Sequence, residues 1–256
     1  NASFANVITI SETDKGGGNL ATIAVNNGRA KGPKWSLAYT YTDATEVSNL
    51  SSSTSGSNWG ARAIFNPNEE VDANSSYLVR DRVNASLTWE KRFFGAYKTT
   101  FGAFYEGRSG KPYSWTFNND MNGDGVTSND LMYIPTAFGS GEVVFRGDTA
   151  ASKVNETKFW DIVNSTPELS RSIGRVTTRH DSFAPWTNSI DVRVSQEIPG
   201  LFDNHKGVFT LDIMNFGNML NKKWGRINEV SFASAGGNSR SFVDYAGMEN
   251  GKYVYQ

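Results

Sequence analysis

Segments in which apolar and polar residues alternate with a period of two recur along the chain. In the segment that begins at Trp35, one side carries Trp35, Leu37, Tyr39 and Tyr41, and small residues occupy the other side. The same period is found in segments 83–90, 99–106, 190–195 and 209–214. Because successive side chains of a strand point to opposite faces, this period predicts β-strands with one apolar face and one polar face. Weaker strands are expected over Leu20 to Asn26 and over Phe4 to Ile10. The chain is therefore predicted to be all-β and antiparallel.

Short and long connections alternate between the predicted strands. The short turns cover about 27–34, 93–97 and 199–207, and the long connections cover about 44–80, 108–187 and 217–250. Long connections are uncommon in compact soluble domains. Transmembrane β-barrels, in contrast, have short periplasmic turns and long extracellular loops. The pattern favours a portion of such a barrel, of about eight strands, over an ordinary antiparallel sheet with one wet face.

The composition is compatible with this interpretation. Aromatic residues make up 13% of the chain, and barrels place such rings in girdles at the two membrane interfaces. Trp89 and Phe93 would lie near the short turns, and Tyr39, Tyr41 and Tyr105 near the long loops. The net charge of −1, without a basic patch, gives no indication of a nucleic-acid partner. The absence of cysteine excludes disulfides and thiolate zinc sites.

The long connection over 108–187 contains signals for local structure. Thr166 followed by Pro167 is a helix-start signal, and Gly174 is a suitable stop. One or two short helices are therefore predicted within residues 155–174, over the mouth of the barrel.

The clearest motif for ligand binding lies in residues 118–130. Asp120, Asn122, Asp124 and Gly125 follow the D-x-N-x-D-G start of a calcium loop, in which alternate positions supply oxygen ligands to Ca²⁺. The twelfth position, where a bidentate glutamate is expected, is Leu131, and Asp130 comes one place early. The alternative is a loop held by Asx-turns alone. A Ca²⁺ ion bound here would stiffen a long loop.

Features that would indicate an enzyme are weak. His180, Asp181 and Ser182 are neighbours in sequence, whereas the members of a catalytic triad converge from separate segments. No glycine-rich phosphate loop follows a predicted strand. The expectation is a protein without enzymatic activity.

Three stretches together resemble TonB-dependent outer-membrane receptors, in particular the Oar-like group. The first covers 81–93 and 101–115, the second is N-G-D-G-V-T-S-N-D-L-M-Y-I-P at 122–135, and the third is N-F-G-N-M-L-N-K-K-W-G at 215–225. In the third, Asn218, Leu220 and Asn221 match the family's N-L-L/F-N-K box, and Met219 departs from it. The similarity runs through most of residues 1–256.

The resemblance implies a plugged barrel of 22 strands in the bacterial outer membrane. Such receptors take up a scarce ligand such as an oligosaccharide, a peptide or a siderophore. The implied partners are outer-membrane lipid, the plug and remaining strands of the same receptor, and the TonB system. About eight strands are only part of such a barrel, residues 1–9 lack the basic and apolar regions of a signal peptide, and no plug is recognised in residues 1–256. The chain is therefore expected to be the C-terminal portion of the barrel.

Two other functions fit the same sequence. The first is a complete small barrel of eight to ten strands that acts as an adhesin or structural protein. The second is a secreted, calcium-dependent β-sandwich binding module, in which a second layer of protein would bury the apolar faces. The sequence does not identify the ligand or distinguish import from export.

Overall fold

The chain folds mostly into β-structure. The structure is a computed structural model that describes residues 7–29, 31–202, 205–230 and 238–256. Strand accounts for 42% of the residues and helix for 12%, which confirms the prediction of an all-β fold with antiparallel sheets. The strands are β1 Gly17–Asn26, β2 Lys34–Glu46, β3 Ala73–Asn74, β4 Asp81–Phe94, β5 Tyr97–Arg108, β6 Pro112–Trp115, β7 Tyr133–Ile134, β8 Val143–Phe145, β9 Arg175–Val176, β10 Ser182–Phe183, β11 Thr187–Pro199, β12 Lys206–Ile213, β13 Ser239–Arg240, β14 Tyr245–Glu249 and β15 Lys252–Tyr255. The helices are α1 Ser55–Gly60, α2 Val154–Ser165, α3 Pro167–Arg171 and α4 Phe216–Leu220.

Six long strands form one antiparallel sheet, here called the main sheet. Its order is β1-β2-β4-β5-β11-β12, so each strand lies beside the next long strand in the chain, and short β3 adds to β2. Over the described residues the main sheet is open, because β1 and β12 remain at its two edges. The main sheet has six long strands where about eight barrel strands were predicted, and the barrel itself stays a prediction. A weak strand expected over Phe4 to Ile10 lies partly outside the described residues, and residues 7–10 form no strand.

The register of the main sheet sorts its side chains by polarity. Trp35 lies opposite Leu87, and Leu87 lies opposite Ala103 on the next strand. Ala103 in turn lies opposite Val192, which lies opposite Ile213. Residues directly opposite one another share a face, so these five form one apolar row across the sheet. The predicted alternation thus produces a continuous apolar face.

The apolar face is not covered by protein among the described residues. Eleven large side chains on it have exposed fractions from 36% to 73%. These exposed residues are Ile23, Val25, Trp35, Leu37, Tyr39, Tyr41, Leu87, Phe101, Ile190, Phe209 and Leu211.

The opposite face of the main sheet is polar and carries ion pairs. Arg193 contacts Asp212 on the neighbouring strand through two nitrogens, with Nε to Oδ1 at 2.5 Å and Nη2 to Oδ2 at 3.0 Å. Glu90 lies 3.3 Å from the Nζ atom of Lys98 on this face. Phe104 departs from the pattern, because it lies opposite Ser86 and Asp191 on the polar side.

The hydrophobic core lies in the long connections and not in the main sheet. We call these connections the loop cap, which consists of the described residues between β2 and β4, between β5 and β11, and after β12. Its core residues are Trp115, Phe117, Met132, Ile134, Val143, Phe145, Phe159, Trp160, Val163, Leu169, Val243 and Tyr255. Short strands bring the connections together: β6 pairs with β10 and β13, and β8 pairs with β15.

Two short helices lie in the segment of the loop cap for which one or two were predicted. Helix α3 begins at Pro167 after an extended Thr166, and the chain turns away at Gly174, where φ is +78°. Helix α2 buries Phe159, Trp160 and Val163 on one side, at the spacing of a helical face. None of the helices that the structure describes is long and apolar enough to cross a membrane.

Candidate metal centre in the loop cap

The predicted calcium loop lies where the long connections meet. The backbone of Asn129 accepts a hydrogen bond of 2.8 Å from the amide of Ile64, in the connection between β2 and β4. The carbonyl of Asp130 accepts a bond of 2.8 Å from Phe117. The carbonyl of Ser128 accepts a bond of 2.8 Å from the hydroxyl of Ser239, in the connection after β12. The loop is thus anchored to each of the three connections.

Residues 120–126 form a tight turn around the Asp120 carboxylate. Its Oδ1 atom accepts hydrogen bonds from the amides of Gly123 at 2.7 Å and Asp124 at 3.2 Å, and its Oδ2 accepts one from Gly125 at 3.0 Å. Gly123 and Gly125 have φ of +77° and +85°, which residues other than glycine rarely adopt. These are the local contacts expected of both an Asx-turn loop and a calcium loop.

Asp130 joins this turn from the far end of the loop. One carboxylate oxygen from each of Asp120, Asp124 and Asp130 lies within 4.8 Å of the other two. Leu131, at the twelfth position of the motif, is buried. The loop therefore directs Asp130, one place earlier, into the cluster, and its role as a metal ligand stays a prediction.

Asn122 has a different role from the three carboxylates. Its Oδ1 atom accepts a hydrogen bond of 2.9 Å from the amide of Asp124, and its Nδ2 atom lies 3.4 Å from the carbonyl oxygen of Phe65. Asn122 therefore shapes the turn and connects it to the first long connection. As a metal ligand it remains a prediction.

The electrostatics of Asp130 are unfavourable without a cation. Its side chain is fully buried, and burial is the main cause that raises its pKa to about 7. The negative charges of Asp124 and Asp120 also raise this pKa, and backbone hydrogen bonds from Met121 and Asn122 oppose the rise. No salt bridge to any of the three aspartates is found in the described parts of the chain.

Two buried oxygens at the cluster have no hydrogen-bond partner. One is Oδ1 of Asp130, whose Oδ2 accepts a bond of 2.5 Å from the amide of Met121. The other is Oδ1 of Asn129, whose Nδ2 donates to Oδ2 of Asp124 at 3.2 Å. An unpaired buried acceptor costs about 1–3 kcal/mol, and more when it is charged. Asn129 was not predicted from the sequence, since its burial depends on contacts with distant segments.

The residues of the proposed family box build a separate turn after β12. Asn218 donates from Nδ2 to the carbonyl of Trp224 at 2.8 Å, and Asn221 accepts a bond of 2.9 Å from the amide of Lys223. Leu220 is 66% exposed. These three residues belong to this turn and are not part of the aspartate cluster.

The side chains of residues 180–182 do not form a catalytic triad, because each one contacts a different part of the loop cap. The Nδ1 atom of buried His180 lies 2.8 Å from the carbonyl oxygen of Asn74. Ser182 accepts a hydrogen bond of 3.0 Å from Nε1 of Trp115, and Asp181 pairs with Arg171 at 3.1 Å. The three side chains thus contact three different partners. Burial is the main cause that lowers the pKa of His180.

Comparison of the chain with profiles of known protein families, with curated proteins and with solved structures gave no match.

Proposed function

We propose that this chain forms part of the wall and the extracellular loop cap of an outer-membrane transporter of the TonB-dependent receptor type. The observation that carries this proposal is the continuous apolar face of the main sheet, which no described residue covers. A folded protein rarely leaves such a face to water, and a large exposed apolar patch indicates an interaction site. We infer that its occupant is the hydrocarbon of a lipid bilayer.

The dimensions of the apolar face support a membrane. On β4 this face runs between the polar side chains of Asp81 and Lys91, ten residues apart. At a rise of about 3.3 Å per residue and a tilt of about 40°, this span is about 25 Å high, similar to the apolar band of outer-membrane barrels.

Aromatic side chains mark both ends of this band. Trp89, Phe93 and Phe101 pack together near the short turn between β4 and β5, with ring centroids 5.6–6.2 Å apart. At the loop end, the hydroxyl of Tyr39 donates to Asp81 and that of Tyr105 donates to Asn188, both at 2.6 Å. Rings with one polar end are favoured at the interface between lipid and water.

The open edges of the main sheet imply further strands. In lipid, the backbone groups of an edge strand have no water to bond, so only a closed barrel is stable there. The proposal therefore requires that additional strands pair with β1 and β12. On this proposal the short turns face the periplasm and the loop cap faces the outside, where it captures an oligosaccharide, peptide or siderophore.

A secreted β-sandwich is less well supported by the contacts. It would cover the apolar face with a second layer, whereas the core of the loop cap is made from other side chains. A small adhesin barrel would share the lipid-facing sheet, so it has to be separated by experiment.

The membrane part of the proposal can be tested with spin labels, because the chain has no cysteine. Single cysteines at Ala85, Ser86, Leu87 and Thr88 in the native protein would be labelled in phospholipid vesicles. We expect dissolved oxygen to reach positions 85 and 87 more readily, and a water-soluble nickel complex to reach 86 and 88. Accessibility to the nickel complex without this period of two would refute a lipid-facing sheet.

The transporter part can be tested by cross-linking in cells that make the native protein and TonB. A transporter is expected to give a covalent adduct with TonB, and the adduct should disappear when TonB lacks its periplasmic domain. A lipid-facing sheet without any such adduct, in a protein of about 28 kDa, would support the adhesin and contradict the transporter.

A further inference from the structure

The loop over 116–131 connects all three parts of the loop cap, and its stability therefore affects the whole cap. Besides the contacts already described, the amide of Leu131 bonds to the carbonyl of Ile64 at 3.3 Å, and Asn118 donates its amide to the carbonyl of Val243 at 3.1 Å. The side chain of Asn119 exchanges hydrogen bonds with the backbone of Tyr245 at 2.6 and 2.8 Å.

At the centre of this junction, three carboxylates converge, and none of them forms a salt bridge with a described residue. The guanidinium of Arg62 attracts Asp124 from a longer distance. The turn around Asp120 could be held by backbone amides alone, since all of its bonds are local. The buried, unpartnered Oδ1 of Asp130 cannot be explained in this way. It belongs to a carboxylate that comes from outside the turn and lies within 4.8 Å of the other two. A buried charge is normally paired or coordinates a metal.

We propose that Asp120, Asp124 and Asp130 bind a single Ca²⁺ ion, which fastens the three long connections of the loop cap to one another. Asp120 and Asp124 supply ligands from the turn, and Asp130 supplies one from the strand-like segment that pairs with Ile64. Removal of the ion loosens the junction, so the order of the loop cap depends on calcium.

The chemistry of the ligands favours Ca²⁺ over other divalent ions. All of the side chains that converge carry oxygen, and no nitrogen or sulfur ligand of the kind that zinc prefers lies in this cluster. Mg²⁺ requires near-ideal octahedral geometry and keeps several waters, whereas Ca²⁺ accepts six to eight oxygens in flexible geometry. Two carboxylates from one glycine-containing turn and a third from outside it suit the larger ion.

Hydrogen exchange of the native protein in detergent tests this proposal. The protein is first treated with EGTA and is then measured with and without Ca²⁺ at about 1 mM, the upper range for extracellular calcium modules. At a free Ca²⁺ concentration ten times its dissociation constant, hydrogen exchange of the amides in 61–65 and 117–131 is expected to slow about tenfold. The same concentration of Mg²⁺ is expected to give a much smaller change.

Variants show whether the ion binds at this cluster. D120N and D130N are expected to lose the calcium-dependent protection, whereas D161N, which removes an exposed carboxylate from α2, keeps it. Unchanged exchange in β4 and β5 verifies that each variant is folded. If D130N does not fold, D120N alone serves, because Asp120 is only partly buried.

Two results would overturn the proposal. In the first, Ca²⁺ gives the wild-type protein no protection over 117–131, as expected if the loop is held by Asx-turns and a proton on Asp130. In the second, wild type, D120N and D130N respond equally, which would move the calcium effect to another site. Neither result depends on whether the protein is a transporter.

Discussion

Replacement of Leu87 by arginine tests the lipid-facing sheet most directly. Leu87 lies on the apolar face of β4, six residues from Asp81 and four from Lys91. With about 2.5 Å of height per tilted residue, it lies about 10 Å from the nearer end of the proposed band. An arginine near the midplane of a barrel costs about 2–4 kcal/mol. The folded-to-unfolded ratio should therefore fall roughly 30- to 1,000-fold.

A matched control is available at the next residue. Thr88 lies on the polar face of the same strand, opposite Gly102, which has no side chain to displace. Lys34 lies opposite Thr88 on β2, so Thr88→Arg should cost at most about 1 kcal/mol from repulsion between like charges.

Urea unfolding of the native protein in phospholipid vesicles, followed by tryptophan fluorescence, measures both variants against wild type. Equal losses of stability for Leu87→Arg and Thr88→Arg, or a larger loss for Thr88→Arg, would refute the assignment of the faces.

Three further predictions concern the loop cap. Phe159→Ala should destabilise the loop cap by about 3–5 kcal/mol, because Phe159 is buried among the rings of Phe145, Trp160, Phe242 and Tyr255. Limited proteolysis of the cap would measure this loss of stability. The control Val154→Ala changes an exposed side chain and should have little effect. Since burial lowers the pKa of His180, the unfolded chain binds more protons than the folded one, so stability is complete above the unfolded pKa of about 6.5 and declines as the pH falls below it. The charges of Arg179 and Glu46 also act on this ring. His180→Asn, which suits the φ of +55°, should remove this acid step, as measured by proteolysis at pH values from about 5 to 7.5. An unchanged step would assign it to another group. Gly225→Ala should disrupt the turn after β12, because a Cβ there would lie 1.8 Å from Oδ1 of Asn215 and φ is +63°; normal exchange rates for amides 215–225 in this variant would contradict that expectation.

The main sheet could be predicted from the sequence to a larger extent than the loop cap. Strands β2, β4, β5, β11 and β12 were predicted within a few residues, and so was α3, from Thr166, Pro167 and Gly174. Each of these signals is local: the period of two assigns every side chain to a face, and proline and glycine restrict or release one backbone position. The pairing of each strand with the next also follows from chain order when the connection is a short turn.

The loop cap, by contrast, was decided by contacts between distant segments. The pairing of β8 with β15 and of β6 with β13 brings together residues about 110 and 125 positions apart, and no local period indicates such pairs. The same is true of the metal centre. The sequence determined the turn from Asp120 to Gly125, because its hydrogen bonds are local. Only the tertiary structure decided that Leu131 enters the core, that Asp130 and Asn129 are buried, and that three carboxylates converge, since burial is a property of everything that packs around a residue.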